Sequence, residues 1–396
     1  MKRESILVCG TGIVGLATAL ALARAGFSVS LAGPAADIPA AAVDVYCPRV
    51  YALSPASRQF LESLGVWQSL DGARITAVDS MEVFGDSGGQ VMLHAWQGME
   101  PALAWIVEAS ALERILRQAV RLGGVAWHDG KIAHIEQGVV STAVGQLPPA
   151  DLVVGADGAA SPVREAFGIG CRSHPYGDVG LVAHLTAEYP HQHAALQWFT
   201  GDSVLALLPM PDTRAGSQVS MVWSMPESDA DQLRALPPAT QAAAIANRLA
   251  AATGGRLGGL TPRTPLLGFP LFRDESGLVA TGAALVGDAA HRVHPLAGQG
   301  LNLGLADARA LADVLAAKEA WRGVGDLRVL RRYRRLRAEA LLSMRLATDG
   351  LYRLFALPGA PPAWLRNIGM QMVDRLPMVK RHLIAQASGR RDYSNH

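Results

Sequence analysis

Cysteine is scarce: Cys9, Cys47 and Cys171 are the only three in 396 residues. They cannot all pair, and none sits in a Cys-x-x-Cys motif, so the chain offers no disulfide framework, and a reducing compartment is the simplest setting. Charge is also thin, at 18% of residues with a formal net of +2, which gives no overall bias toward nucleic acid. Long apolar runs are missing. The uncharged stretch between Glu4 and Arg24, preceded by Lys2 and Arg3, has the outline of an export signal, but Gly10, Gly12 and Gly15 break it up. No other stretch has the length and apolar character of a membrane span. Repeats and low-complexity linkers are absent as well. What is present is a half-apolar chain with 41 glycines, long enough for two domains or one large discontinuous one.

The N-terminal text "SILVCGTGIVGLATALALARAGFSVSLAG" reads as strand, tight turn, helix, strand. Ser5–Cys9 is a short apolar run of the kind buried on both faces of a parallel sheet, 14–25 is an alanine- and leucine-rich helix ending at Gly26, and 27–31 is a second strand. From 73 to 98 the pattern changes to short strand-like pieces. Ala109–Leu122 is helical, 178–226 is rich in alternating strands, 229–253 is helical, and beyond Gly300 nearly everything reads as helix. The fold class expected is α/β. A Rossmann-like nucleotide-binding domain (1–72, 99–177 and 266–330) is interrupted by a β-rich domain (73–98 and 178–265) and followed by a helical C-terminal region (331–396).

Three motifs carry chemistry. Gly10, Gly12 and Gly15 form G-x-G-x-x-G between a strand and a helix: the first allows the turn, the second lets a pyrophosphate approach the backbone, and the third lets helix and strand pack. The acid that should close the second strand and hold a ribose is missing, with Gly33 in its place; Asp37 or Asp44 could substitute from the loop beyond. In "DLVVGADGAASPVR" a strand delivers Asp157 to a glycine turn, followed by Ser161 and Arg164. Asp157 either touches a ligand or, with Ser161, caps the helix. The third is "GDAAHRVHPLAGQGLNLG" (287–304). As a metal site, Asp288, His291 and His294 would have to converge without an obvious completing ligand, so no metal is expected. As a cofactor loop, the strand at 283–286 presents Asp288 to sugar-alcohol hydroxyls, and "PLAGQGLN" opens a helix whose free N–H groups face developing negative charge.

Together these motifs resemble the three signatures of the single-component FAD-dependent aromatic hydroxylases. "RVYALSPAS" (49–57), "WIVEAS" (105–110), "HPLAGQGLNLG" (294–304), "LRRYRRLR" and "LPMVKRHLI" are similar to the ubiquinone-biosynthesis hydroxylase family over nearly the whole chain. The resemblance implies FAD held by Gly10, Gly12, Ile13, Val14 and Gly15 at the pyrophosphate, Arg49 from the loop after the second strand and Asp288 on the ribityl chain. It also implies Pro295, Gly298, Gln299, Gly300, Leu301 and Asn302 around the isoalloxazine, and Asp157 and Arg164 in a motif shared by FAD and the pyridine nucleotide. The reaction implied is hydroxylation of the aromatic ring of a polyprenylated phenol, with NAD(P)H and O₂ as co-substrates.

Pro295 and His294 are the residues placed nearest the chemistry. His294 is either a general base for the phenol or a packed histidine beside Pro295; packing is the simpler reading, since deprotonation is not essential at an activated ring. Val219, Met221, Trp223 and Met225 alternate onto one strand face. With Leu205, Leu207 and Pro209 they would floor an apolar substrate pocket, or else form sheet core. Two rivals remain: a hydroxylase of a small soluble aromatic acid, for which the strands offer mainly His184 as a cation, and a flavin-binding component of a quinone-biosynthesis complex without turnover.

The near-neutral total hides a split. Residues 321–396 hold 15 Lys/Arg against 5 Asp/Glu, and in "LRRYRRLR" (330–337) Leu330, Tyr333 and Leu336 recur at helical spacing between arginines. The basic face is either solvated or a docking surface for an anionic membrane or an acidic partner. A cytoplasmic protein, peripheral on the inner membrane, is the expectation.

Overall fold

The computed structural model describes residues 3–42, 44–85, 88–136, 138–201, 203–293 and 299–356, with 376, 380–381, 383–385 and 388–389 near the C-terminus. Ser5–Cys9 lies inside a six-stranded sheet in the order Val279–Ala280, Ala283–Leu285, Leu152–Gly155, Ser5–Cys9, Ser28–Ala32, Ala126–His128. Every pairing is parallel except that of the first two strands. Leu7, Val8 and Cys9 are covered on both faces, which is why the segment is a continuous apolar run rather than an alternating one. Helices Ile13–Arg24, Ala109–Leu122 and Gln299–Ala316 supply the covering side chains, among them Leu16, Leu112 and Leu311.

A nine-stranded, largely antiparallel sheet forms the other half, with Cys171–Ala187, Gly216–Pro226 and Ser203–Thr213 side by side at its centre. One face packs against Glu227–Arg234 and Pro238–Thr253; the helix expected over 229–253 is broken in two at Pro237 and Pro238. A small sheet of Val50–Leu53, Ala104–Glu108 and Thr76–Val78 sits between the two halves, its Val78 and Ile106 packing with Ala195 and Met210 of the large sheet.

The strands depart from the domain bounds read from the sequence. Cys171–Ala187 runs unbroken through 177/178, and Leu267–Ser276, placed with the nucleotide-binding portion, pairs with it in the large sheet. Pro175 and Gly177 sit at a bulge, with a register shift between Pro175 and Val179, and Pro270 lies opposite Val179.

Candidate active site

The site lies where the parallel strands end. Gly10 has φ 118°, and a Cβ there would collide with the Ala156 carbonyl; one on Gly15 would strike the Gly10 carbonyl. Both positions are glycine because neighbouring backbone comes too close for anything larger. Gly12 differs. A Cβ there would meet no atom within 4 Å, because the residue faces a cavity of about 880 Å³. Ile13, Val14 and Gly15 share that wall, at a helix N-terminus that no side chain caps. Free N–H groups and a positive dipole end are thus presented to the space, the environment a phosphate anion prefers. Arg49, Glu113, Asp288 and Arg292 add charged side chains to the lining, which Gly300 and Leu301 also reach.

Asp288 is presented by a turn that is braced from behind. Gly287 (φ 61°) lies against Val14, and its N–H donates to Asp307 Oδ2 at 3.0 Å. The same oxygen takes His291 Nε2 at 2.6 Å, while Oδ1 accepts from Arg337 Nε at 2.7 Å. Tyr333 Oη donates to the Leu285 carbonyl one turn away, at 2.8 Å. Asp307 is fully buried. Burial alone would raise its pKa, but His291 and Arg337 outweigh it and hold the carboxyl below its usual range. His291 is therefore a brace for the turn. Asp288 itself is exposed to the cavity, and its carboxylate is engaged by no described residue. Among the described residues no three His, Cys, Asp or Glu side chains gather as metal ligands.

Several expected site residues are used elsewhere. Asp157 Oδ2 accepts from Val163 N at 3.0 Å and Ser161 caps the following helix; the Arg164 guanidinium, buried, bridges the Ala159 and Ala289 carbonyls. Their neighbours Ala156 and Gly158 line the cavity instead. Asp157 keeps one buried oxygen, Oδ1, without a partner, and burial raises its pKa against the pull of Ser161 and Val163. Asn302 spends its amide on the Ser54 N–H and the Ala52 carbonyl, tying the long helix to the small sheet. Gln299 begins that helix but does not line the cavity. His294, Pro295 and Gly298 lie outside the described residues.

The expected pocket floor is on the wrong face of its strands. Leu205, Leu207, Met221 and Trp223, with Val219 and Met225, form core against the two helices, and Pro209 is buried on the same side, opposite Val219. The cavity takes the alternate residues: Ala206, Leu208, Ser220 and Val222. Both faces of this sheet are covered, so alternation marks the more apolar face, and that face belongs to the helices. The ligand face uses smaller side chains.

The missing ribose acid has a structural counterpart. Gly33 has φ 146°, and a Cβ there would lie 2.7 Å from Thr11 Cγ2, so no side chain fits. Asp37 pairs with exposed Arg121, and neither it nor Asp44 lines the cavity. Glu113 does. Its Oε1 takes both Nε and Nη2 of Arg117 (3.2 and 2.8 Å), while Arg117 also donates to the carbonyls of Pro34 and Thr11 (3.0 and 3.3 Å). The carboxylate is thereby fixed beside the glycine turn. Sequence reading missed Glu113, Tyr51 and Asp307; the i,i+4 spacing of Glu113 and Arg117 was the one signal available for the first. Tyr51, under the Arg49 guanidinium, has its pKa raised chiefly by burial; Arg49 opposes this, while Asp288 and Glu113 add to it.

Residues 3–344 match the FAD-binding domain family. The chain belongs to it. Among relatives of this FAD-binding chain, the ubiquinone hydroxylase UbiL of Rhodospirillum rubrum is 34% identical over 98% of this chain and 90% of its own length. The 3-demethoxyubiquinol 3-hydroxylase of Escherichia coli is also 34% identical, over 98% of this chain and 99% of its own. The solved structure of p-nitrophenol 4-monooxygenase PnpA from Pseudomonas putida superimposes with a TM-score of 0.75 at 18% identity, covering 98% of this chain and 99% of that one, and so shares the fold.

Proposed function

We propose that this FAD-binding protein hydroxylates the aromatic ring of a polyprenylated phenol in ubiquinone biosynthesis, using NAD(P)H and O₂. The observation that carries the reading is that one cavity is continuous across both halves. It runs from the open face of Gly12 to a floor of small and apolar side chains on the large sheet, Gly180, Val182, Ala206 and Val222. The first end fits a dinucleotide pyrophosphate; the second suits a ring and the start of an apolar tail, and the two named ubiquinone-pathway relatives cover nearly the whole chain.

Bound FAD would supply the redox chemistry that passes electrons from NAD(P)H to O₂. This chain's residues bind and orient. Gly12 and the first N–H groups of Ile13–Arg24 would hold the pyrophosphate, Arg49 would reach the same group, and Asp288 would accept from ribityl hydroxyls. Glu113 would take the ribose hydroxyls that Gly33 cannot. Gly300 and Leu301, at the start of Gln299–Ala316, would place the positive end of that helix dipole at the isoalloxazine. A small aromatic acid finds less here. On the sheet side of the cavity the cation is Arg292, which is already paired with buried Asp274, and burial depresses the pKa of His184, keeping it neutral.

Docking to an anionic membrane through the basic face of Leu327–Ala356 is the finer part of the reading. Arg328, Arg331, Arg334 and Arg335 are exposed there, whereas Arg332 pairs with Glu319 at 2.6 Å and Arg337 is buried. The function is tested by NAD(P)H oxidation in the FAD-loaded protein with product analysis. Stimulation by a prenylphenol, with oxygen incorporated into the ring, is expected. Stimulation by a small aromatic acid alone, or none at all, would overturn it.

A further inference from the structure

Two of the buried side-chain atoms that lack a partner, Ser220 Oγ and His184 Nδ1, belong to neighbouring residues. Ser220 and His184 stand directly opposite each other on adjacent antiparallel strands, with Leu208 opposite Ser220 on its other side, so all three share one sheet face. Ser220 and Leu208 line the cavity. The two polar residues are 0% and 4% exposed. Leaving such groups unpaired is unfavourable, so an unpaired hydroxyl on the cavity wall, with an unpaired imidazole nitrogen next to it on the same sheet face, calls for a ligand or a water.

The imidazole is fixed in orientation and tautomer. His184 Nε2 lies 2.7 Å from the Cys47 carbonyl, which can only accept, so Nε2 carries the hydrogen and Nδ1 presents a lone pair. Cys47 also lines the cavity, and its N–H donates to buried Glu108, itself paired with Arg74. The His184 backbone N–H donates to Thr264 Oγ1 at 2.9 Å. A serine hydroxyl on a mostly apolar wall, which donates and accepts, thus has a fixed acceptor as its cross-strand neighbour. A phenolic hydroxyl, one donor and one acceptor on an apolar ring, is complementary to that pair.

We propose that Ser220 and His184 hold the phenolic hydroxyl of the substrate, its O–H donating to Nδ1 and its oxygen accepting from Ser220. This rests on the phenol-hydroxylase reading and names the groups that set the ring's position in the cavity. The test compares binding of a short-chain prenylphenol and of the corresponding prenylbenzene, which lacks the hydroxyl, to the FAD-loaded protein by perturbation of the flavin spectrum. Wild type should favour the phenol about tenfold. Ser220→Ala should weaken phenol binding about fivefold and leave prenylbenzene unchanged, while Ser220→Thr, which keeps the hydroxyl, should retain the preference. Equal weakening of both ligands, or no change in either because a buried water alone satisfies the pair, overturns the inference and leaves the hydroxylase reading standing. If wild type binds neither compound, the phenol reading itself falls and this inference falls with it.

Discussion

At the scale of single residues, the carboxylates Asp288 and Glu113 face one cavity from opposite elements, and their contributions to flavin binding are separable. Asp288→Ala should yield folded protein largely stripped of FAD, since hydrogen bonds to a charged acceptor are lost. Glu113→Gln should raise the FAD dissociation constant about tenfold with little change in far-UV circular dichroism; full flavin occupancy in either variant would contradict its placement. Gly33→Glu, which sequence alone would offer as a way to restore the ribose acid and tighten FAD, should instead destabilise the protein. The positive φ and the Thr11 contact leave a Cβ no room, and a lowered melting temperature is the expected readout. The motif glycines and Asp288 could be read in the sequence because their reasons are local. Glu113 could not be assigned, because its relation to Gly33 exists only once Ala109–Leu122 packs beside the first turn.

At the scale of elements, Asp307, Arg337 and Tyr333 fasten two long helices to the turn that carries Asp288. Arg337→Met should cost about 3–5 kcal/mol, because it leaves a buried carboxylate with one charged partner fewer, and FAD retention should fall with stability. Since the folded-state pKa of Asp307 is depressed, its contribution is fully present above the unfolded carboxylate value of about 3.9 and is lost as pH falls through the lower folded value. Acid unfolding followed by tryptophan fluorescence should therefore steepen below about pH 4, and the same experiment on Asp307→Asn should show a weaker dependence there. Strand and helix identities were largely legible: Ser5–Cys9 falls where a continuous apolar run puts a strand, and Ala109–Leu122 where a helix is read. The face of the large sheet was not, because alternation reports which side is more apolar and says nothing of which side meets a ligand.

At the scale of the whole molecule, the charge split read from the sequence becomes a surface. Among the described residues, Arg328, Arg331, Arg334 and Arg335 are exposed on Leu327–Ala356, and no helix is long and apolar enough to cross a membrane. Flotation with anionic vesicles should carry the FAD-loaded protein at low salt and release it at high salt, since a surface attraction is screened within about 8 Å at physiological ionic strength. Replacing Arg331, Arg334 and Arg335 by Gln should abolish flotation without changing flavin content. Capture that persists in the variant, or wild type that ignores the vesicles, would assign this face to solvent alone.

The hollow of about 880 Å³ between the two large sheets has a thermodynamic consequence of its own. A dinucleotide filling it would act as a missing layer of the interior, wetted by water in the empty protein and by aromatic and sugar surface in the loaded one. Resistance to heat then becomes a function of vitamin supply, as well as of sequence. A hundredfold excess of FAD over its dissociation constant should add about 2.7 kcal/mol to the unfolding free energy, and the melting temperature should keep climbing with the logarithm of free FAD after saturation. A melting temperature indifferent to added FAD would mean that the hollow is not where the flavin goes.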